Sequence, residues 1–137
     1  MNNMIDKLAW VYIQDGKLLT VRSKGKHLFY LPGGKREQGE TDEQALIREI
    51  QEELSVELTP QSLNYAGTFS AQADGKAKGV TVQLTCYYSD FTGALQPAME
   101  IEEFRYVDIT DKAICSLATM VTLEWLVTKG LIPKERP

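Results

Sequence analysis

Residues 33–56 read GGKREQGETDEQALIREIQEELSV. Two glycines open the stretch, an acidic loop follows, and one amphipathic helix closes it. Thr41 suits an N-cap, and Gln44 lies three residues on, the spacing of a capping box. Leu46, Ile47, Ile50 and Leu54 fall on one side of that helix, within an arc of roughly 100°. Glu49, Glu52 and Glu53 cluster on an adjoining side, because i, i+3 and i+4 are neighbours on a helix surface. Like charges so placed repel by about a few tenths of a kcal/mol per pair. No dense lysine or arginine run lies nearby to offset them. A hard divalent cation does so, since Mg²⁺ takes oxygen ligands and keeps waters and substrate phosphates in its shell. Gly33 and Gly34, just after Pro32, let the backbone turn tightly and approach an ion or phosphate.

Gly34, five residues, Glu40, seven residues, then Arg48-Glu49-Ile50-Gln51-Glu52-Glu53-Leu54-Ser55-Val56 resembles the Nudix box, G-x5-E-x7-R-E-U-x-E-E-x-G-U with U aliphatic. Every fixed position matches except Ser55, which stands where the family has glycine. A match of this length is far more specific than a lone glycine motif. A glycine just past a helix end takes the left-handed conformation. Serine there costs roughly 1 kcal/mol, or the turn takes another geometry. Ser55 has no metal-ligand role in the family pattern, so the departure bears on the helix exit rather than on the chemistry.

The resemblance implies an α/β (α+β) fold, the Nudix α/β/α sandwich with a mixed β-sheet between helices. It implies hydrolysis of a nucleoside diphosphate linked to another group, with Mg²⁺ as cofactor and Mn²⁺ as its substitute. Glu49, Glu52 and Glu53 match the metal-binding glutamates, and the carbonyl at Gly33 matches one that joins the metal shell. Glu40 matches an acidic position acting through water or outer contacts. Arg48 matches the box arginine and is expected to orient a glutamate. The catalytic base is a box glutamate, Glu53 or Glu52, or one from the later acidic turn, Glu100, Glu102 or Glu103, with Glu100 favoured. Relatives of this kind often form homodimers.

The chain has 137 residues and suits one domain, 1–137, with room for a real core. Its 43% hydrophobic and 25% charged content are ordinary for a soluble globular protein. A net charge of −4 argues against a nucleic-acid polymer or a membrane surface as partner. A small anionic nucleotide remains compatible if metal ions and local basic residues offset the repulsion. Cys86 and Cys115 show no metal spacing and no disulfide framework, which points to a reducing compartment and the cytoplasm. No N-terminal run reads as a signal peptide, and no stretch is long enough to span a bilayer.

Leu8 to Ile13, a turn at Asp15-Gly16, and Lys17 to Arg22 read as strand, turn and strand. Ser23 to Lys26 reads as a loop and His27 to Leu31 as a short strand. After the helix, Glu57 to Leu58 reads as a strand and Pro60-Gln61 as a turn. Leu63 to Ala71 and Val80 to Phe91 form a long hairpin around Gln72 to Gly79. Its second arm alternates Val82, Leu84, Cys86 and Tyr88 with polar residues, as in a half-covered sheet. Phe104 to Ile109 reads as a strand capped by Thr110 or Asp111, and Leu117 to Thr128 as a helix ended by Gly130 and Pro133.

Arg22 precedes the metal loop and is a candidate phosphate ligand; an ordinary strand arginine is the alternative. Lys24, Lys26 and His27 are assigned ordinary surface and strand roles, and Tyr87 either stacks on a base or packs against a helix. Substrate choice lies outside the box. The downstream signatures of NADH and ADP-ribose hydrolases and the upstream coenzyme A signature are missing. What remains resembles the short MutT-like nucleoside triphosphate pyrophosphohydrolases, which release a nucleoside monophosphate and pyrophosphate. The alternatives are an ADP-ribose or nucleotide-sugar pyrophosphatase and a non-catalytic nucleotide-sensing Nudix module. Retention of all three box glutamates favours the enzyme.

Overall fold

The computed structural model describes residues 3–135; the two ends of the expected 1–137 unit lie outside them. In chain order the elements are β1 (Met4–Val11), β2 (Ile13–Gln14), β3 (Lys17–Ser23), β4 (Gly33–Gly34), α1 (Asp42–Leu54), β5 (Glu57–Leu58), β6 (Asn64–Gln72), β7 (Thr81–Tyr88), β8 (Phe91–Thr92), β9 (Ile101–Val107) and α2 (Leu117–Thr128). Short 3₁₀ turns cover Pro60–Ser62 and Ile109–Ile114.

A four-stranded sheet runs β4-β1-β7-β6. β1 and β7 pair in parallel, while β4 and β6 are antiparallel to their neighbours, so the sheet is mixed. β1 is buried on both faces, and its alternation divides two cores. Ala9 and Val11 join Leu84, Cys86, Leu123 and Leu126 on the α2 side. Leu8 and Trp10 join Leu46, Ile50, Leu54 and Val56 on the α1 side. This is why β1 reads as an unbroken apolar run. A second, antiparallel sheet runs β2-β3-β9, and β5 pairs β8. The helix–sheet–helix arrangement is the one the resemblance implied.

Helix α1 begins where its caps say it should. The Thr41 hydroxyl accepts from the Gln44 N–H at 3.1 Å, and the Gln44 side chain accepts from the Thr41 N–H at 2.9 Å. It ends at Ser55, whose φ of 64° is left-handed. Serine therefore occupies the geometry glycine favours, and its hydroxyl donates to the Gln96 carbonyl at 3.1 Å. Ser55→Gly is expected to change stability by less than about 1 kcal/mol, because relief of strain offsets that bond and the added chain freedom. Urea denaturation checks this, and a larger loss would show that the hydroxyl bond dominates.

Three boundaries differ from the sequence reading. β1 starts at Met4 rather than Leu8, because residues 4–7 pair with residues 81–84 of β7 although their side chains carry no strand pattern. His27 to Leu31 is not a strand: only single bridges, Val21 to Tyr30 and Phe29 to Cys115, tie it down. β9 starts at Ile101 and stops at Val107, so Glu102 and Glu103 lie within the strand rather than in a turn. Asp108, not Thr110 or Asp111, caps the 3₁₀ turn that follows, with Asp111 completing its capping box.

Candidate active site

A cavity of about 870 Å³ opens between β1, β4, α1, the 23–31 loop, the β6–β7 turn and the start of α2. That volume lies within the roughly 300–1,000 Å³ range of small-molecule sites. Gly33, Gly34, Glu49, Glu53 and Glu100 all line it.

Each is placed by a local cause. Glu49 and Glu53 are one helical turn apart on α1 and so share a face. Gly33 and Gly34 pair with Ala9 and Leu8 of β1, which fixes the loop against the sheet. The Gly33 N–H donates to Glu53 Oε1 at 3.1 Å. A Cβ at Gly34 would collide with the Glu49 carboxylate; the absent side chain is what lets the carboxylate lie on the backbone. Glu100 arrives through the segment after β8. Its Gln96 and Ala98 N–H groups donate to the Leu54 and Glu53 carbonyls at 2.9 and 3.0 Å. Those carbonyls are orphans of the helix end, so the segment caps α1 while it delivers Glu100.

Arg48 gathers the remaining box carboxylates. Its Nε and Nη2 hold Glu40 at 2.8 and 2.9 Å, and its Nη1 donates to Glu49 and Glu52 at 2.8 Å each. The guanidinium, with the Glu37 N–H, holds Glu40 down to about 2. The expected orienting contact of Arg48 on a glutamate is therefore present. Glu52 is turned onto Arg48 and does not line the cavity, unlike Glu49 and Glu53.

Glu53 is 7% exposed. Burial pushes its carboxyl up to about 8; the Gly33 N–H opposes this, and nearby Glu49 and Glu100 add to it. Burial likewise raises Glu49. Among the described residues no group of three acidic, histidine or cysteine side chains converges tightly enough to hold a metal alone. Mg²⁺ does not need one, since it is bound by one or two carboxylates plus waters and substrate phosphates. Two carboxylates beside a glycine loop, one of them buried without a positive partner in contact, form an all-oxygen donor set that fits such an ion.

The other candidates fall elsewhere. Arg22 ion-pairs with Glu103 at 2.7 Å and donates to the Lys26 carbonyl, and it does not line the cavity. Glu102 also lies off the cavity wall, and the Tyr87 hydroxyl donates to Asp42 at 3.0 Å instead of facing a base. Lys26 and His27 do line the cavity. So do Lys7, Lys35 and Lys76, which the sequence reading did not single out. Lys35 sits inside the box and carried a signal; Lys7 lay outside the expected strand, and Lys76 looked like any turn lysine. Burial lowers the Lys7 ammonium and Lys35 lowers it further, against the pull of Glu53 and Glu49.

The family model described as the NUDIX domain matches residues 6–122. A CTP pyrophosphohydrolase of Escherichia coli is 33% identical over 98 residues, 68% of this chain and 68% of that protein. An ADP-ribose pyrophosphatase of Methanocaldococcus jannaschii is 31% identical over 101 residues, 72% of this chain but only 58% of that protein. A MutT NUDIX hydrolase of Burkholderia pseudomallei shares the fold with a TM-score of 0.74 and 23% identity, covering 88% of this chain and 96% of that one. With its box helix lining a cavity of the right size, this chain belongs to the NUDIX domain family, hydrolases that act on the phosphoric anhydride of nucleoside diphosphate derivatives with the help of divalent metal ions.

Proposed function

We propose that the protein is a Mg²⁺-dependent nucleoside triphosphate pyrophosphohydrolase of the MutT-like kind, forming a nucleoside monophosphate and pyrophosphate. The observation that carries this reading is the buried Glu53 carboxylate, set with Glu49 on the wall of a cavity whose glycine loop admits no side chain. Glu49, Glu53 and Gly33 would hold the ion. When bound, such an ion neutralises phosphate charge and acidifies water. The chain's own residues do the rest. Arg48 holds Glu49 in place through its 2.8 Å bond. Glu100, brought to the same wall, is the proposed base that takes a proton from the attacking water. The apolar end of the cavity, with Leu28, Tyr30 and Ala118, accepts the nucleoside. Glu52 reaches the site only through Arg48 and is assigned a supporting role.

A second reading, an ADP-ribose or nucleotide-sugar pyrophosphatase, draws on the similarity to the Methanocaldococcus jannaschii protein. A substrate panel with Mg²⁺ separates the two. It should hold ordinary and oxidised nucleoside triphosphates, ADP-ribose, dinucleoside polyphosphates and nucleotide sugars. The reading expects a triphosphate to be turned over best, with pyrophosphate and not orthophosphate as product. Preference for ADP-ribose or a nucleotide sugar would replace it with the second reading, and turnover of nothing would contradict both.

A further inference from the structure

Three ammonium groups face the cavity. Lys7 comes from β1, Lys35 from the loop after β4, and Lys76 from the β6–β7 turn. Lys7 is half-buried, yet among the described residues its side chain has no hydrogen bond and no ion pair within 4.0 Å. The side chains of Lys35 and Lys76 have none either. Lys76 is not placed by a loose loop. The Gln72 side chain donates to the Ala77 carbonyl at 2.9 Å and accepts from the Gly79 N–H at 3.0 Å, which fixes the turn. Asp74 then accepts from the Leu117 N–H at 3.1 Å and docks the turn on α2. Burying ammonium groups costs free energy, and grouping them adds repulsion. An anion among them reverses both terms. The carboxylates that face the same cavity lie on α1 and the segment before β9, so one wall is acidic and the rim opposite it is basic.

We propose that Lys7 and Lys76, beside Lys35, bind the phosphate chain of the substrate and select it by its charge, favouring a nucleoside triphosphate over a diphosphate capped by a neutral group. The inference rests on the hydrolase reading and names what sets its substrate class. A lysine matches a phosphate as a mobile point charge, so it reads charge rather than shape.

Lys7→Met and Lys76→Met, alone and together, test it, with Lys78→Met as a control in the same turn that does not line the cavity. Calorimetric titration with tripolyphosphate and pyrophosphate in Ca²⁺ buffer reads binding without turnover. Each single variant is expected to weaken tripolyphosphate binding about tenfold, the size of one charge-assisted contact, and pyrophosphate binding less. In kinetics KM for the triphosphate rises while kcat changes by less than about threefold, and the kcat/KM ratio of triphosphate to ADP-ribose falls. Unchanged tripolyphosphate affinity in the double variant, or equal loss for both anions, overturns the proposal. Should the wild type hydrolyse none of the panel, the hydrolase reading fails while the titrations still decide this one.

Discussion

Glu53→Gln is expected to lower kcat by about a thousandfold, within the span of a lost catalytic carboxylate, without unfolding the protein. Glu53 is 7% exposed and accepts the Gly33 N–H at 3.1 Å. Glutamine keeps the shape and that acceptor but loses the charge that holds a cation. The stability effect has a definite sign. In the metal-free protein the carboxyl sits at about 8, against an ordinary 4.5. The folded state therefore binds the extra proton, and wild-type stability falls as pH rises from about 4.5 towards 8, by up to about 1.4 kcal/mol per unit. Glutamine does not titrate, so the variant should lose this slope and equal or exceed the wild type at pH 8 without metal. Urea denaturation across pH with EDTA present reads the slope, and single-turnover kinetics read the rate. Activity within tenfold of wild type would remove Glu53 from the site.

Gly33→Ala carries the second large effect. Gly33 has φ of +148°, a region that L side chains rarely adopt. A Cβ there would strike the Leu8 carbonyl oxygen and lie 2.9 Å from Ala9 Cα. Both are backbone atoms of β1, which is packed between two cores and cannot give. The glycine loop must move instead. It would then withdraw the N–H from Glu53 and the backbone from Glu49. The expected cost is about 2–4 kcal/mol from strain and overpacking together, with activity down at least about a hundredfold. Gly39→Ala is the control: its φ is +86°, but nothing lies within 4 Å of its Cβ. That variant should lose about 1 kcal/mol and keep its turnover. If the two alanine variants behaved alike, close packing of the loop on β1 would not be what holds the carboxylates.

What the sequence made legible followed from local rules. The helix limits came from Thr41, Gln44 and the apolar spacing, and the carboxylate face came from i, i+3 and i+4 geometry. β1 was legible where it is buried on both faces. Its first four residues were not, because a backbone ladder with β7 extends them and no side-chain pattern reports that. Spacing put Glu52 beside Glu49 and Glu53, but it could not show that Arg48 would draw Glu52 aside. Arg22 looked close to the metal loop in sequence, whereas β3 pairs it across to Glu103 of β9. The three lysines of the cavity lie far apart in the chain and meet only when β1, the box loop and the β6–β7 turn converge. No helix among the described residues is long and apolar enough to cross a membrane.

The central claim is that Glu49 and Glu53 make a cation site that becomes whole only when the ion arrives. Calorimetric titration of Mg²⁺ at pH 7, repeated in two buffers of different ionisation enthalpy, tests it most directly. The account predicts uptake with release of about one proton from Glu53, and no proton release in Glu53→Gln. No uptake of Mg²⁺ or Mn²⁺, with or without a non-hydrolysable nucleotide, would contradict it.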